Sequence, residues 1–181
     1  ATEIVANLTQ APVDLAINPV TLSVTGMPME DPNAGGTIEV PDNAKVGQQV
    51  LLQAVANEGF YFTGWYNQEG KQLSSAHSTY LTFSADTSIS AIFNQKSVSV
   101  KIAVKDPTTG KFILDEGEDS YTELSIPVPL GEKMMIHSLA APGYEFMKWT
   151  IFGSGIRTSG NKTLELDATT DLEVEVQYRQ L

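Results

Sequence analysis

The stretch Gly59-Phe60-Tyr61-Phe62-Thr63-Gly64-Trp65 returns in altered form as Gly143-Tyr144-Glu145-Phe146-Met147-Lys148-Trp149. A glycine, an aromatic, a phenylalanine and a tryptophan stand at the same offsets in both. Upstream, Gly47-Gln48-Gln49-Val50-Leu51-Leu52 is matched by Gly131-Glu132-Lys133-Met134-Met135-Ile136. Trp149 follows Trp65 by 84 positions, as Gly131 follows Gly47. One constant shift across two separate motifs marks a single structural unit used twice.

The surrounding sequence fits two small β units. Its 181 residues can bury a modest core in each half. There is no cysteine, so neither a disulfide nor a thiolate metal site can hold the chain together. Alternating apolar and polar residues mark strands at Val20–Val24, Thr37–Val40, Gln49–Val55, Phe60–Tyr66, Thr79–Phe83 and Ser88–Phe93. The second half is expected to repeat that order, with strands at Val98–Val104, Glu123–Ile126, Lys133–Leu139, Tyr144–Phe152, Thr163–Leu166 and Leu172–Tyr178. Turns fall at the Met27–Gly36 loop, Pro41-Asp42-Asn43, Asn67–Gly70 and Asp106–Gly110. No segment keeps a helical period over three turns. Pro12 and Pro19 punctuate an extended N-terminal arm over residues 1–19, with one turn of helix at Leu8–Ala11. The expected domains are therefore the arm, a first unit over 20–95 and a second over 96–181. The short link Asn94–Ser97 makes them a stiff tandem.

Within the repeat, Gly59 and Gly143 suit turns closed to other residues. The aromatic residues that follow are expected in the core rather than on a sugar-binding platform. Because Trp65 lies at odd spacing from Phe62, a bulge or bend must bring both to one face.

The charge balance excludes some partners. Eleven Lys and Arg stand against 22 Asp and Glu, a formal net charge of −11. Nucleic acid and anionic membranes are repelled by such a chain. No apolar run approaches the roughly 20 residues of a membrane helix. Ala1-Thr2-Glu3-Ile4 has no signal-peptide character, and a start on alanine points to removal of an initiator Met, a signal peptide or a longer leader.

Chemistry-bearing residues are sparse. Asp115-Glu116-Gly117-Glu118-Asp119 places several hard oxygens together, without EF-hand spacing, so an exposed acidic turn outweighs a calcium site. Asp86, Asp167 and Asp171 lie in corresponding loops and read as turn formers. His77 stands in a polar loop and His137 in an apolar strand, neither at zinc-ligand spacing. Gly153-Ser154-Gly155 reads as a hairpin tip rather than a nucleophile elbow. Asn7-Leu8-Thr9 and Asn161-Lys162-Thr163 match a short glycosylation motif. No catalytic, cofactor-binding or metal residue is expected, and no enzyme.

Glycine, a few apolar residues, Gly-aromatic-x-Phe-x-x-Trp and a closing strand that ends in an aromatic: this pattern resembles the divergent InlB B-repeat (Listeria–Bacteroides repeat) family. It is carried by Gly47, Val50, Leu52, Ala54, Gly59, Phe60, Phe62, Trp65, Ala91 and Phe93, and then by Gly131, Met134, Ile136, Gly143, Tyr144, Phe146, Trp149 and Tyr178. The resemblance covers about residues 20–94 and 98–179. It implies a small β-grasp-like module, found in tandem on bacterial surface and secreted proteins and in some phage structural proteins, with no catalytic residues.

The expected fold is mainly β, two tandem β-grasp-like InlB B-repeat-like domains behind the arm. The expected function is structural. One form is a virion component (auxiliary or decoration capsid, or tail) anchored through the arm; the alternative is a secreted bacterial cell-surface adhesion or filament module that binds glycan or protein. The expected partners are proteins of a larger assembly, its own copies included, without nucleic acid, membrane insertion or cofactor. The arm either docks on its own units or adds to a neighbouring subunit's sheet edge. The surface aromatics for a glycan would be Tyr80 or Tyr121. Function is expected where the copies differ: the arm, the Met27–Gly36 loop, the turn at Asp115 and the seam near Gln95.

Overall fold

The computed structural model describes residues 11–181, so Asn7-Leu8-Thr9 and most of the turn at Leu8–Ala11 lie outside the described residues. Every regular element among the described residues is a strand, and none is a helix long and apolar enough to cross a membrane. The chain divides into two compact units, one ending at Lys96 and one running Ser97–Leu181.

In the first unit the strands are β1 (Leu15–Leu22), β2 (Gly36–Glu39), β3 (Gln49–Ala56), β4 (Phe60–Tyr66), β5 (Gln72–Ser74), β6 (Ser78–Thr82) and β7 (Thr87–Gln95). They form a sheet in the order β1-β7-β4-β5 and a second in the order β2-β3-β6. The first strand lies parallel to the last, Leu15 opposite Thr87. A parallel pair needs a long crossover, and the residues that build the second sheet supply it. Val50, Leu52, Ala54, Trp65, Ile89, Ala91 and Phe93 are buried in one cluster.

The second unit contains β8 (Ser97–Val104), β9 (Gly110–Leu114), β10 (Ser120–Tyr121), β11 (Glu123–Pro129), β12 (Lys133–Ala140), β13 (Tyr144–Phe152), β14 (Ile156–Ser159), β15 (Thr163–Asp167) and β16 (Leu172–Gln180). Its sheets run β11-β8-β16-β13-β14 and β10-β9-β12-β15. Here too the first strand is parallel to the last, Val100 opposite Leu172. This first-beside-last arrangement is the β-grasp-like layout that the resemblance implies, built from strands alone.

The repeat holds at the level of register. Gly36 pairs with Ala56, and Gly110 with Ala140. Gly47 and Gly131 take φ of 77° and 88°, Gly59 and Gly143 of 84° and 86°. The expected irregularity before each tryptophan is present as a bulge, between Phe62 and Gly64 in β4 and between Phe146 and Lys148 in β13. An extra residue there turns Trp65 and Trp149 to the inner face beside Phe62 and Phe146.

Two expectations need correction. Residues 15–19 are not arm: they are the start of β1, and the first sheet begins at Leu15 rather than near Val20. Val13, Leu15 and Ile17 alternate with Asp14, Ala16 and Asn18, the period of a half-buried strand. Val13 is already in the core, its N–H bonded to the Ala44 carbonyl at 3.0 Å, while the Val46 N–H bonds to the Ala11 carbonyl at 2.8 Å. Pro19 is accommodated because β1 is an edge strand, where a missing N–H costs the ladder nothing. The second unit, moreover, does not simply repeat the order of the first. The counterpart of β2 is β9, which begins at Gly110, the last residue of the expected turn, and runs on through residues where no strand was expected, and Glu123–Pro129 is an additional strand paired antiparallel to β8.

Candidate functional site

The repeated aromatic segment is the first place to look for a binding platform, and its geometry is that of a core. Trp65 and Trp149 are both 0% exposed. Each indole N–H is satisfied by a main-chain carbonyl, Trp65 Nε1 to Ala76 at 2.8 Å and Trp149 Nε1 to Asn161 at 2.9 Å. A buried indole needs such a partner. Phe62 packs between Trp65 and Phe93, with ring centroids at 5.0 and 5.2 Å. Phe146 stands in the same way between Trp149 and Tyr178, at 5.9 and 6.5 Å. Neither indole leaves a face for a ligand.

The closing aromatic is where the copies diverge chemically. Tyr178 replaces Phe93, and its hydroxyl donates to the Lys111 carbonyl while accepting the Leu139 N–H at 2.9 Å. Burial raises its pKa above the ordinary tyrosine value, partly opposed by the Leu139 N–H. The fold thus favours the neutral phenol. That contribution is intact below the unfolded pKa of about 10 and is lost as pH rises from there through the raised folded value. We expect the second unit to weaken above about pH 10. Tyr178→Phe should lose that component, and at neutral pH should be about 1 kcal/mol less stable because the Lys111 carbonyl and the Leu139 N–H lose their partner. Urea titrations of both proteins at neutral and alkaline pH measure the difference.

The acidic residues are structural or dispersed. Asp86 Oδ1 accepts the Asp14 N–H at 2.8 Å, and Asp171 Oδ1 accepts the Ser99 N–H at 2.8 Å. Both carboxylates tether the first strand of a unit to the loop before its last strand. Asp167 lies at the end of β15, opposite Lys133. The turn Asp115–Asp119 joins β9 to β10, with Glu116 at φ 62°. Among the described residues no three His, Cys, Asp or Glu side chains are grouped closely enough to hold a metal ion. His137 sits on β12 between Asp115, at 3.1 Å from Nε2, and Thr163, at 3.0 Å from Nδ1. His77 is exposed in the loop before β6.

Of the surface candidates, Tyr80 is 61% exposed on β6, whereas Tyr121 is half-buried with its ring 5.9 Å from that of Phe112. Gly153-Ser154-Gly155 forms the tip of the β13–β14 hairpin, closed by the Gly153 N–H to the Gly155 carbonyl at 2.9 Å. Asn161 is exposed, and its carbonyl holds Trp149. The Met27–Gly36 loop is tied down from within. Thr21, fully buried, donates its hydroxyl to the Pro32 carbonyl at 2.8 Å and accepts the Gly35 N–H at 2.9 Å.

The two units differ in what covers the outer edge of the first strand. β8 is covered on its outer edge by β11, from Glu123 opposite Ala103 to Pro129 opposite Ser97. β1 has no such neighbour over Leu15–Pro19 among the described residues. The signal was available: Val13-Asp14-Leu15-Ala16-Ile17 aligns with Val98-Ser99-Val100-Lys101-Ile102 at a shift of 85, one more than the shift that reveals the repeat.

Residues 30–97, which lie almost wholly within the first unit, match the model of the divergent InlB B-repeat domain. No curated protein matches the sequence. Among solved structures, the Bacillus anthracis TIE protein is 12% identical with a TM-score of 0.45, over 94% of this chain and 34% of that one. The chain therefore spans about a third of that protein's length. The major pilin of Streptococcus pyogenes (N168A mutant) is 7% identical with a TM-score of 0.40, over 94% of this chain and 98% of that one. A second Streptococcus pyogenes major pilin, T3.2, is 11% identical with a TM-score of 0.37, over 78% and 70%.

Proposed function

We propose that the chain is a non-enzymatic structural segment of a surface-displayed assembly, in which residues 98–181 form a second, divergent copy of the repeat matched over 30–97. The observation that carries this is the use made of the repeated residues. Both glycine pairs shape turns, both tryptophans fill cores and both aspartates tether first strands. What the duplication preserves is therefore a scaffold, and the outer faces are free to vary. The net charge of −11 favours solubility at the high local density of an array. Tandem use on bacterial surface and secreted proteins and in phage structural proteins, implied by the family, supports the same reading.

The display is either on a virion, as an auxiliary capsid, decoration or tail component, or on a bacterial surface, as a filament or adhesion module. Immunogold labelling of intact source cells and of purified particles, with antibodies raised against residues 11–181, tests the proposal and separates the two settings. Gold on the outside of cells or on particles is expected. Label confined to the cell interior would overturn surface display.

A further inference from the structure

The two units differ at one edge, and the second shows what the first lacks. In β8, Val100 and Ile102 are both 0% exposed, covered by Leu124 and Ile126 of β11. Their counterparts in β1, Leu15 and Ile17, belong to the same inward row but are only partly buried. The neighbour on that side of β1 is interrupted. At one end Ala44–Val46 lies beside Ala11–Val13 in antiparallel contact, as the end of β11 lies beside Ser97. At the other, the Met29 N–H reaches the Thr21 carbonyl at 2.8 Å, and Leu22 bridges to Pro28. Between them, Leu15–Pro19 has no strand beside it among the described residues.

The backbone polarity of this gap follows from its surroundings. The Asp14 N–H is taken by Asp86 and the Asp14 carbonyl by the Thr87 N–H, so Asp14 faces β7. Val13 and Thr21 face the other way, to Ala44 and Met29. Alternation along a strand then directs the N–H and C=O groups of Leu15 and Ile17, and the carbonyl of Pro19, into the gap. In the second unit the same positions serve β11 and the residue before it, with the Val104 N–H on the Thr122 carbonyl at 2.9 Å.

We propose that this gap is a strand-acceptor slot, and that it takes residues 1–10 of a second copy of the chain, added antiparallel to β1. The mode is β-augmentation, in which backbone bonds give affinity and alternate side chains give fit. The slot is about 17 Å long, and a ten-residue segment reaches roughly 30 Å when extended. β11 offers Leu124 and Ile126 at alternate positions; Ile4-Val5-Ala6-Asn7-Leu8 offers Ile4, Ala6 and Leu8 in the same alternation. Residues 1–10 of the same molecule meet an obstacle, because the position beside Ala11–Val13, through which a tight return would pass, is held by Ala44–Val46. A segment arriving from another molecule does not. The proposal names the partner within the assembly reading and rests on it; surface labelling tests that reading separately.

Sedimentation velocity of the full chain over a concentration series, with amide hydrogen exchange at Leu15 and Ile17, tests the slot. Concentration-dependent association is expected, with both amides protected in the associated form. Starting the chain at Ala11, or replacing Ile4 and Leu8 together by Asp in the full chain, should weaken association at least about tenfold and speed exchange at both amides by a similar factor. The truncation leaves every described strand in place, and circular dichroism checks that both variants stay folded. A full chain that remains monomeric overturns the proposal, whether its Leu15 and Ile17 amides are shielded by its own residues 1–10 or exchange freely. Association that survives either variant overturns it as well.

Discussion

Trp149→Ala should cost the second unit about 3–5 kcal/mol, the range for emptying the site of a large buried aromatic. Trp149 is completely buried against Phe146 and donates its indole N–H to the Asn161 carbonyl. Removing it opens a cavity at the centre of one cluster and leaves that carbonyl without its donor. A unit the size of Ser97–Leu181 has a total stability of roughly 4–13 kcal/mol. The loss is therefore a large fraction of what holds the unit together. Trp65→Ala should act in the same way on the first unit, through Phe62, Phe93 and the Ala76 carbonyl. Urea denaturation followed by amide exchange across β12, β15 and β16 for Trp149→Ala, and across β3, β6 and β7 for Trp65→Ala, assigns each loss to its unit. If the tryptophans were ligand platforms, either variant would keep its stability and lose only binding.

Gly36→Ala should be nearly as damaging, at about 3 kcal/mol, the upper end of the usual cost of overpacking. A methyl group at Gly36 would sit 2.5 Å from Phe93 Cε1 and closer still to the Val55 carbonyl oxygen. That oxygen belongs to the β2–β3 ladder, in which Thr37 pairs with Val55, so it cannot withdraw without opening the sheet. Gly110→Ala meets the corresponding obstacle, Tyr178 Cε2 at 2.5 Å and the Leu139 carbonyl at 2.8 Å. The two glycines let the closing aromatic of each unit pass under the second sheet. Gly59→Ala is the control: an added methyl finds open space, and only the φ of 84° opposes it, at about 1–2 kcal/mol. Thermal or urea unfolding should therefore rank Gly36→Ala below Gly59→Ala in stability. The reverse order would show that the close approach is not what fixes Gly36.

How far the sequence disclosed this structure depended on the kind of signal. The strands around Gly59–Trp65 and Gly143–Trp149 were legible because alternation, turn glycines and the repeat agree there. The bulge was legible from spacing alone, since Phe62 and Trp65 cannot share a face on a regular strand. Short strands without a strong period were not. β5 and β14 are return strands of hairpins, defined by pairing to β4 and β13 rather than by their own composition. β9 opens on Gly110, a residue that in isolation punctuates a chain; its place is set by the aromatic ring of Tyr178 behind it. β1 was hidden by Pro19, which breaks helices and central strands but fits an edge. Asp86 and Asp171 were legible as loop residues, while their tether to Asp14 and Ser99 is a contact across 72 positions that no local pattern records. The slot beside β1 is a difference between the copies, visible only once the second unit shows which strand fills it.

Quenching of the intrinsic tryptophan fluorescence by iodide, in the native protein and again in urea, tests most directly whether the repeated motif is core. Trp65 and Trp149 are the two tryptophans of the chain, and both are enclosed. Blue-shifted native emission that iodide barely reduces is expected, with strong quenching appearing only on unfolding. Native emission at the wavelength of water-exposed indole, quenched as fully as in urea, would contradict it.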